Sequence, residues 1–209
     1  MWNRFVAMGD SVTEGIGDDV EGIPCLSWAY HFAKEWQERY PELIYTNIAI
    51  RGQTTAEIRR TQLGKCMALR PDLVSLMAGG NDVLQGRWNA SAFEQEFGEM
   101  LSTLLQTGVT IISSTVPDFP KLRTLPTSQA GQIRSQLTEL NQLIREKCVE
   151  FGVPYAELWH APFTLNLETW SRDGIHPNSV GYMALAGAMN DVLLQIKNTP
   201  NGPLGGISK

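Results

Sequence analysis

A chain of 209 residues, 43% hydrophobic and 19% charged, carries enough apolar material for one substantial core. Its net charge of −5, with Lys and Arg scattered rather than blocked, offers no basic footprint for nucleic acid or an anionic membrane surface. Three widely spaced cysteines, Cys25, Cys66 and Cys148, include no Cys-x-x-Cys pair, which argues against a disulfide framework or a zinc site and predicts reduced, mostly buried thiols.

The first strand-like run, Arg4–Met8, leaves no room ahead of it for a signal peptide, and no run approaches the ~20 apolar residues of a membrane helix. A cytoplasmic protein without integral membrane association is the expectation, unless a leader precedes the chain. An aromatic-rich helix follows over 24–40, and an exposed face of it would permit a homodimer. A second strand is expected at 43–50, then a helix opened by Thr54-x-x-Glu57 as a capping box. The third strand, 73–77, precedes a helix opened by a second such box, Ser91-x-x-Glu94. After a strand at 109–113, Ile133, Leu137, Leu140, Ile144, Cys148 and Phe151 recur every three or four residues, the stripe of a helix laid on a sheet. A short strand at 153–156 comes next. The last helix begins about Pro177, where a missing N–H costs nothing, and runs through Val180, Met183, Leu185 and Leu193. Residues 198–209, with Pro200, Gly202, Pro203, Gly205 and Gly206, are expected to be a flexible tail after a single domain over 1–197.

Strands alternating with helices predict an α/β fold, a three-layer α/β/α sandwich on a parallel five-stranded sheet. In such a sheet the loops after the strands share one edge, and ligands bind there where the winding direction switches. Gly9-Asp10-Ser11 follows the first strand, Arg51-Gly52-Gln53 the second, and Gly79-Gly80-Asn81-Asp82 the third. A flavodoxin-like order 2-1-3-4-5 makes these strands neighbours. Ser11 then faces a site whose hydrogen-bond donors are its own N–H, the N–H of Gly52 and the amide of Asn81. Glycine at 52 would let the backbone approach a ligand, and asparagine supplies a donor that does not titrate.

A serine hydroxyl is a poor nucleophile near neutral pH and needs an imidazole to take its proton and a third group to hold that imidazole. Of the three histidines, His176 has a carboxylate, Asp173, placed to bond it across a single turn. His31 lies in an aromatic helix segment and reads as a packed residue. His160 is the rival base, with only Glu157 near it in sequence.

These blocks resemble the SGNH or GDSL-type esterase/lipase family, which is recognised by a Gly-Asp-Ser block, a glycine after the second strand, a Gly-x-Asn-Asp block and an Asp-x-x-His block in that order. All four are present, as Gly9-Asp10-Ser11, Gly52, Gly79-Gly80-Asn81-Asp82 and Asp173-Gly174-Ile175-His176. Val12 stands where the name-giving motif has leucine. The resemblance implies a serine hydrolase acting on carboxylic esters, with Ser11, Asp173 and His176 catalytic and Ser11, Gly52 and Asn81 forming the oxyanion hole. It implies no cofactor and no metal, and a small-molecule ester as partner: short-acyl, acetylated-sugar or lysophospholipid-like.

The competing readings are plainer. Ser11 could merely cap a helix, and Asp173 and His176 could belong to a surface turn. Asp10 and Asp82 read as loop braces. Gly15-Ile16-Gly17 lacks the third glycine of a dinucleotide loop and is followed by acids that repel phosphate. A non-catalytic small-ligand binding module on the same scaffold is the alternative from another class. For specificity, Leu84, Trp88 and the proline-rich stretch 116–129 are candidates to shape or cover the site, while Glu14, Asp18, Asp19 and Glu21 would disfavour anionic substrates if they face it.

Overall fold

The computed structural model describes residues 2–198. Five parallel strands, β1 (Arg4–Met8), β2 (Ile44–Asn47), β3 (Leu73–Leu76), β4 (Thr110–Ser114) and β5 (Tyr155–Ala156), form one sheet in the order β2-β1-β3-β4-β5. Its register pairs Val6 with Thr46 on one side and with Val74 on the other. The helices are α1 (Ser11–Glu14), α2 (Trp28–Arg39), α3 (Thr55–Ile58), α4 (Gly64–Leu69), α5 (Gly80–Leu84), α6 (Ala90–Leu105), α7 (Thr127–Phe151), α8 (Pro162–Leu165) and α9 (Ser179–Asn198). A π-helical turn, Arg59–Leu63, joins α3 to α4. The fold class read from the sequence is the one observed.

Period-two alternation along the strands builds two cores. Phe5 and Ala7 of β1 face one side, where Trp28, Phe32 and Trp36 of α2 pack with Tyr182, Leu185, Met189 and Leu193 of α9. Val6 and Met8 face the other, against Phe97 and Leu101 of α6 and Leu137, Leu140 and Ile144 of α7. The chain leaves β1 for the first layer and β2 for the second, so winding reverses between β1 and β3. Their C-terminal ends define the crevice.

Several local expectations shift. β2 stops at Asn47, whose Oδ1 accepts from the Ala49 N–H at 3.1 Å while its Nδ2 donates to Thr13 O at 2.7 Å. This Asx turn ends the expected 43–50 strand early and ties it to α1. The box expected at Ser91 is absent: Asn89 reaches the Ala92 N–H first, at 3.0 Å, and caps α6 two residues earlier. Likewise Pro177 does not open the last helix. It pairs with Trp170 in an antiparallel bridge, and Asn178 Oδ1 accepts from the Gly181 N–H at 3.1 Å at the entrance to α9. Val180 and Met183 are on the exposed side of α9, and Tyr182, Leu185 and Ala186 carry its buried stripe. The expected tail lies outside the described residues, apart from Asn198 at the end of α9. Among the described residues, Cys25, Cys66 and Cys148 are free, with Cys66 and Cys148 buried, and no helix is long and apolar enough to cross a membrane.

Candidate active site

Ser11 begins α1 directly beyond β1. A Cβ on Gly9 would sit 2.6 Å from Thr13 Oγ1 and 3.0 Å from Met77 O, so only glycine lets the chain turn this tightly out of the strand. Asp10, not Ser11, caps the helix: its Oδ1 accepts from the Val12 N–H at 3.1 Å. That leaves the Ser11 hydroxyl uncommitted to the backbone and facing the last loop of the chain.

That loop is held at both ends. The Trp170–Pro177 bridge closes its base, and Ser171 N–H donates to His176 O at 2.8 Å. Inside it, Asp173 Oδ1 accepts from the N–H groups of Ile175 at 2.8 Å and His176 at 3.0 Å, while Oδ2 lies 2.6 Å from His176 Nδ1. His176 Nε2 is 2.7 Å from Ser11 Oγ. Sequence-distant groups thus form one continuous chain, Asp173 to His176 to Ser11. Partial burial works against the Asp173 carboxylate, but hydrogen bonds from the His176 N–H, its ring and the Ile175 N–H outweigh it and hold the carboxyl below its usual value. An ionised Asp173 fixes the tautomer with the Nδ1 proton toward itself and a basic Nε2 toward the hydroxyl.

Gly52 and Asn81 come to the same crevice from the ends of β2 and β3. Gly52 has φ +76°, a left-handed conformation, and a Cβ there would meet nothing within 4 Å. The reason for glycine is therefore the turn rather than space for a ligand. Among the described residues, neither the Ser11 N–H nor the Gly52 N–H has an acceptor. The Asn81 amide is already engaged: its Nδ2 donates to Gln53 O at 3.0 Å and to Asp10 Oδ2 at 3.2 Å.

Asp10 is thus more than a loop brace. It is 8% exposed, and burial pushes its carboxyl up to about 6, against the pull of the Val12 N–H and the positive charge that His176 can carry. A folded-state value above the ordinary 3.8 means the protonated carboxyl favours folding, and that contribution is lost as pH rises through about 6. Both of its oxygens accept N–H groups, Oδ1 from Val12 and Oδ2 from Asn81. Asp82 is a brace as expected, its Oδ2 accepting from the Thr55 N–H and hydroxyl, both at 2.9 Å.

The other candidates fall away from the site. His160 is exposed beside Trp159, and His31 sits half-buried on α2. Three of the four acids after Ser11 are structural: Glu14 pairs with Arg51, Asp18 accepts from the Arg172 N–H at 2.8 Å, and Asp19 accepts from the Cys25 N–H at 2.6 Å. Trp88 donates to Glu139 at 2.8 Å and packs on Phe93, and so braces α6 and α7. Among the described residues, no three His, Cys, Asp or Glu side chains gather as a metal would require.

An apolar pocket of about 60 Å³ opens between Asp10, Val12, Gly80 and Ile175, residues that flank Ser11, Asn81 and His176. Its floor and walls are Met77, Ala78, Leu158, Phe163, Trp170 and Leu185, none of which sequence reasoning singled out. They come from separate elements, so no spacing in the chain could have announced them. The stretch 116–129 does contribute, through Val116, Pro117 and Phe119. It is a packed wall rather than a free cover: a 3-10 turn occupies Pro120–Thr124, Leu122 is buried, and the Lys121 N–H donates to Gly174 O at 2.9 Å.

Comparison with known proteins agrees with this geometry. The sequence model of the GDSL-like lipase/acylhydrolase family matches residues 7–184. No curated protein matches the chain in sequence. Among solved structures, the psychrotrophic esterase EstA from Pseudoalteromonas sp. aligns with a TM-score of 0.73 at 13% identity, over 94% of this chain and 100% of that one. The lipase/acylhydrolase from Enterococcus faecalis aligns with a TM-score of 0.72 at 21% identity, covering 93% and 95%. Axe2, an acetylxylan esterase from Geobacillus stearothermophilus, gives 0.71 at 18% identity, covering 91% and 94%. At these identities the likeness is one of fold.

Proposed function

Because the chain belongs to the GDSL-like lipase/acylhydrolase family, we propose that it is a serine esterase that cleaves short-acyl carboxylic esters through an acyl-enzyme on Ser11. The observation that carries this reading is the hydrogen-bonded chain of 2.6 Å and 2.7 Å linking Asp173, His176 and Ser11 at the switch point of the sheet. Ser11 Oγ attacks the ester carbonyl as His176 Nε2 takes its proton, and the carbonyl oxygen becomes an oxyanion facing the N–H groups of Ser11 and Gly52 and the Asn81 amide. Collapse of this adduct breaks the bond to the alcohol, which leaves with the proton from His176. Water, deprotonated by the same imidazole, then attacks the acyl-enzyme and releases the acid and a free Ser11. No step calls for a cofactor or a metal. A cytoplasmic location and a small-molecule ester partner complete the proposal.

The short-acyl preference rests on the pocket. A water needs ~10–15 Å³ of such space, so 60 Å³ lined by Leu158, Phe163 and Trp170 suits an acyl chain of about four to six carbons. Across p-nitrophenyl acetate, butyrate and octanoate, kcat/KM is expected to be highest for the two shorter esters: methylenes beyond the pocket gain none of the ~0.8 kcal/mol that burial gives each one, and crowding them against its walls, at ~1–3 kcal/mol, lowers the octanoate value about tenfold. A preference that rises through octanoate would contradict the pocket assignment.

A pH dependence follows from Asp10. The imidazole base must be neutral, and the Asp10 carboxylate, which tethers Asn81 and faces the developing imidazolium, is ionised only above about 6. Both requirements are lost in the same direction as pH falls. The acid limb of log kcat/KM against pH is therefore expected to approach a slope of about two, and a limb that keeps a slope of one down to pH 4.5 would remove Asp10 from the account.

A further inference from the structure

Gln62 is 0% exposed, lies outside every sequence block discussed above, and has each atom of its amide bonded. Its Oε1 accepts from the Gly9 N–H at 3.0 Å, and its Nε2 donates to Gly9 O at 2.7 Å and to Gln53 Oε1 at 2.8 Å. The side chain thus pairs with both the N–H and the C=O of one residue, as a residue of an adjacent antiparallel strand would, two residues before Ser11. Gln53 carries the link onward: its main-chain oxygen receives the Asn81 amide at 3.0 Å, and Gln53 adjoins Gly52. Ser11, Gly52 and Asn81 sit on three different loops, and this run of side-chain amides links all three, beside the direct Asp10–Asn81 and Gln85–Gly52 bonds.

The placement is not that of an ordinary helix. Gln62 belongs to the π-helical turn between α3 and α4, where an extra residue per turn re-aims a side chain, and such turns recur at functional sites. The turn sits under the end of β1 and delivers a polar side chain into a core otherwise built there of Ile58 and Cys66. A buried amide in that setting is costly unless all its bonds are made.

We propose that Gln62 is a positioning residue for the esterase reaction: by clasping Gly9 and holding Gln53, it sets the mutual spacing of the Ser11 N–H, the Gly52 N–H and the Asn81 amide. The proposal rests on the esterase reading of the site. Because the clasp acts on transition-state donors, its loss lowers kcat and spares KM. A shift of the donors by about 1 Å costs ~10²-fold.

The test is steady-state hydrolysis of p-nitrophenyl acetate by the parent, Ser11→Ala, Gln62→Met, Gln53→Ala and the Gln62→Met/Gln53→Ala double variant. Methionine keeps the volume of Gln62 and makes none of its bonds. Gln62→Met is expected to lower kcat about a hundredfold with KM within about threefold of the parent. Gln53→Ala is expected to lower it about tenfold, and the double variant to be no worse than Gln62→Met, because both act through one network. An active Ser11→Ala would overturn the esterase reading and this proposal with it. An inactive Ser11→Ala beside a Gln62→Met enzyme of parental kcat, or one impaired in KM alone, would overturn the clasp only. If Gln62→Met does not fold, Gln53→Ala decides: a parental kcat overturns the proposal, and a kcat loss at constant KM supports it.

Discussion

Ester turnover is expected to fall by ~10⁴–10⁶-fold in either Ser11→Ala or His176→Ala, with the far-ultraviolet circular dichroism unchanged. The size of the effect follows from the shared task of the two residues. Ser11 Oγ attacks only as His176 Nε2, 2.7 Å away, removes its proton, so losing either partner removes the whole step. For the same reason the double variant should be no worse than the singles. Asp173→Ala is expected to be about tenfold to a hundredfold less severe. The Trp170–Pro177 bridge and the Ser171-to-His176 bond would still hold the base of the loop, while the tautomer, the compensation of the imidazolium and the two bonds from the Ile175 and His176 N–H groups would be lost. Single-turnover and steady-state rates on p-nitrophenyl acetate measure all of these. A His176→Ala enzyme within tenfold of the parent would point to another base.

The second large effect is expected at Asn81. Its alanine variant should lose ~10²–10³-fold in kcat with KM little changed, because the amide interacts with the oxyanion far more strongly than with a ground-state carbonyl. Asn81 is only half-exposed and is held by Gln53 and Asp10, which pre-orients the amide and avoids the cost of ordering it during reaction. A change confined to KM would make Asn81 a substrate-binding residue instead.

The strands and the four blocks were legible in the sequence for different reasons. The mainly apolar runs of β1, buried from Phe5 to Met8, and of β3, buried throughout, follow from a sheet covered on both faces. The blocks stand out because proton transfer restricts each position to very few residue types. Asp173 and His176 could be read as a pair because they are three residues apart and bond within one loop. What could not be read depends on contacts between distant segments. Gln62 looks like any polar helix residue until the π-helical turn carries it beneath Gly9. Asp10 reads only as a loop brace until its burial and its bond to Asn81 are seen. Ser91 had the right spacing for a capping box, but Asn89 bonds the Ala92 N–H and starts the helix two residues earlier, which leaves Ser91 inside it. The pocket was hidden because Phe163, Trp170 and Leu185 meet only when three separate elements pack together.

The central claim is that Ser11 is an activated nucleophile, and intact mass after exposure to a fluorophosphonate tests it most directly. The account predicts a single covalent adduct on the parent chain and none on Ser11→Ala under the same conditions. An adduct that persists on folded Ser11→Ala, or a folded parent that takes up no label, would contradict it.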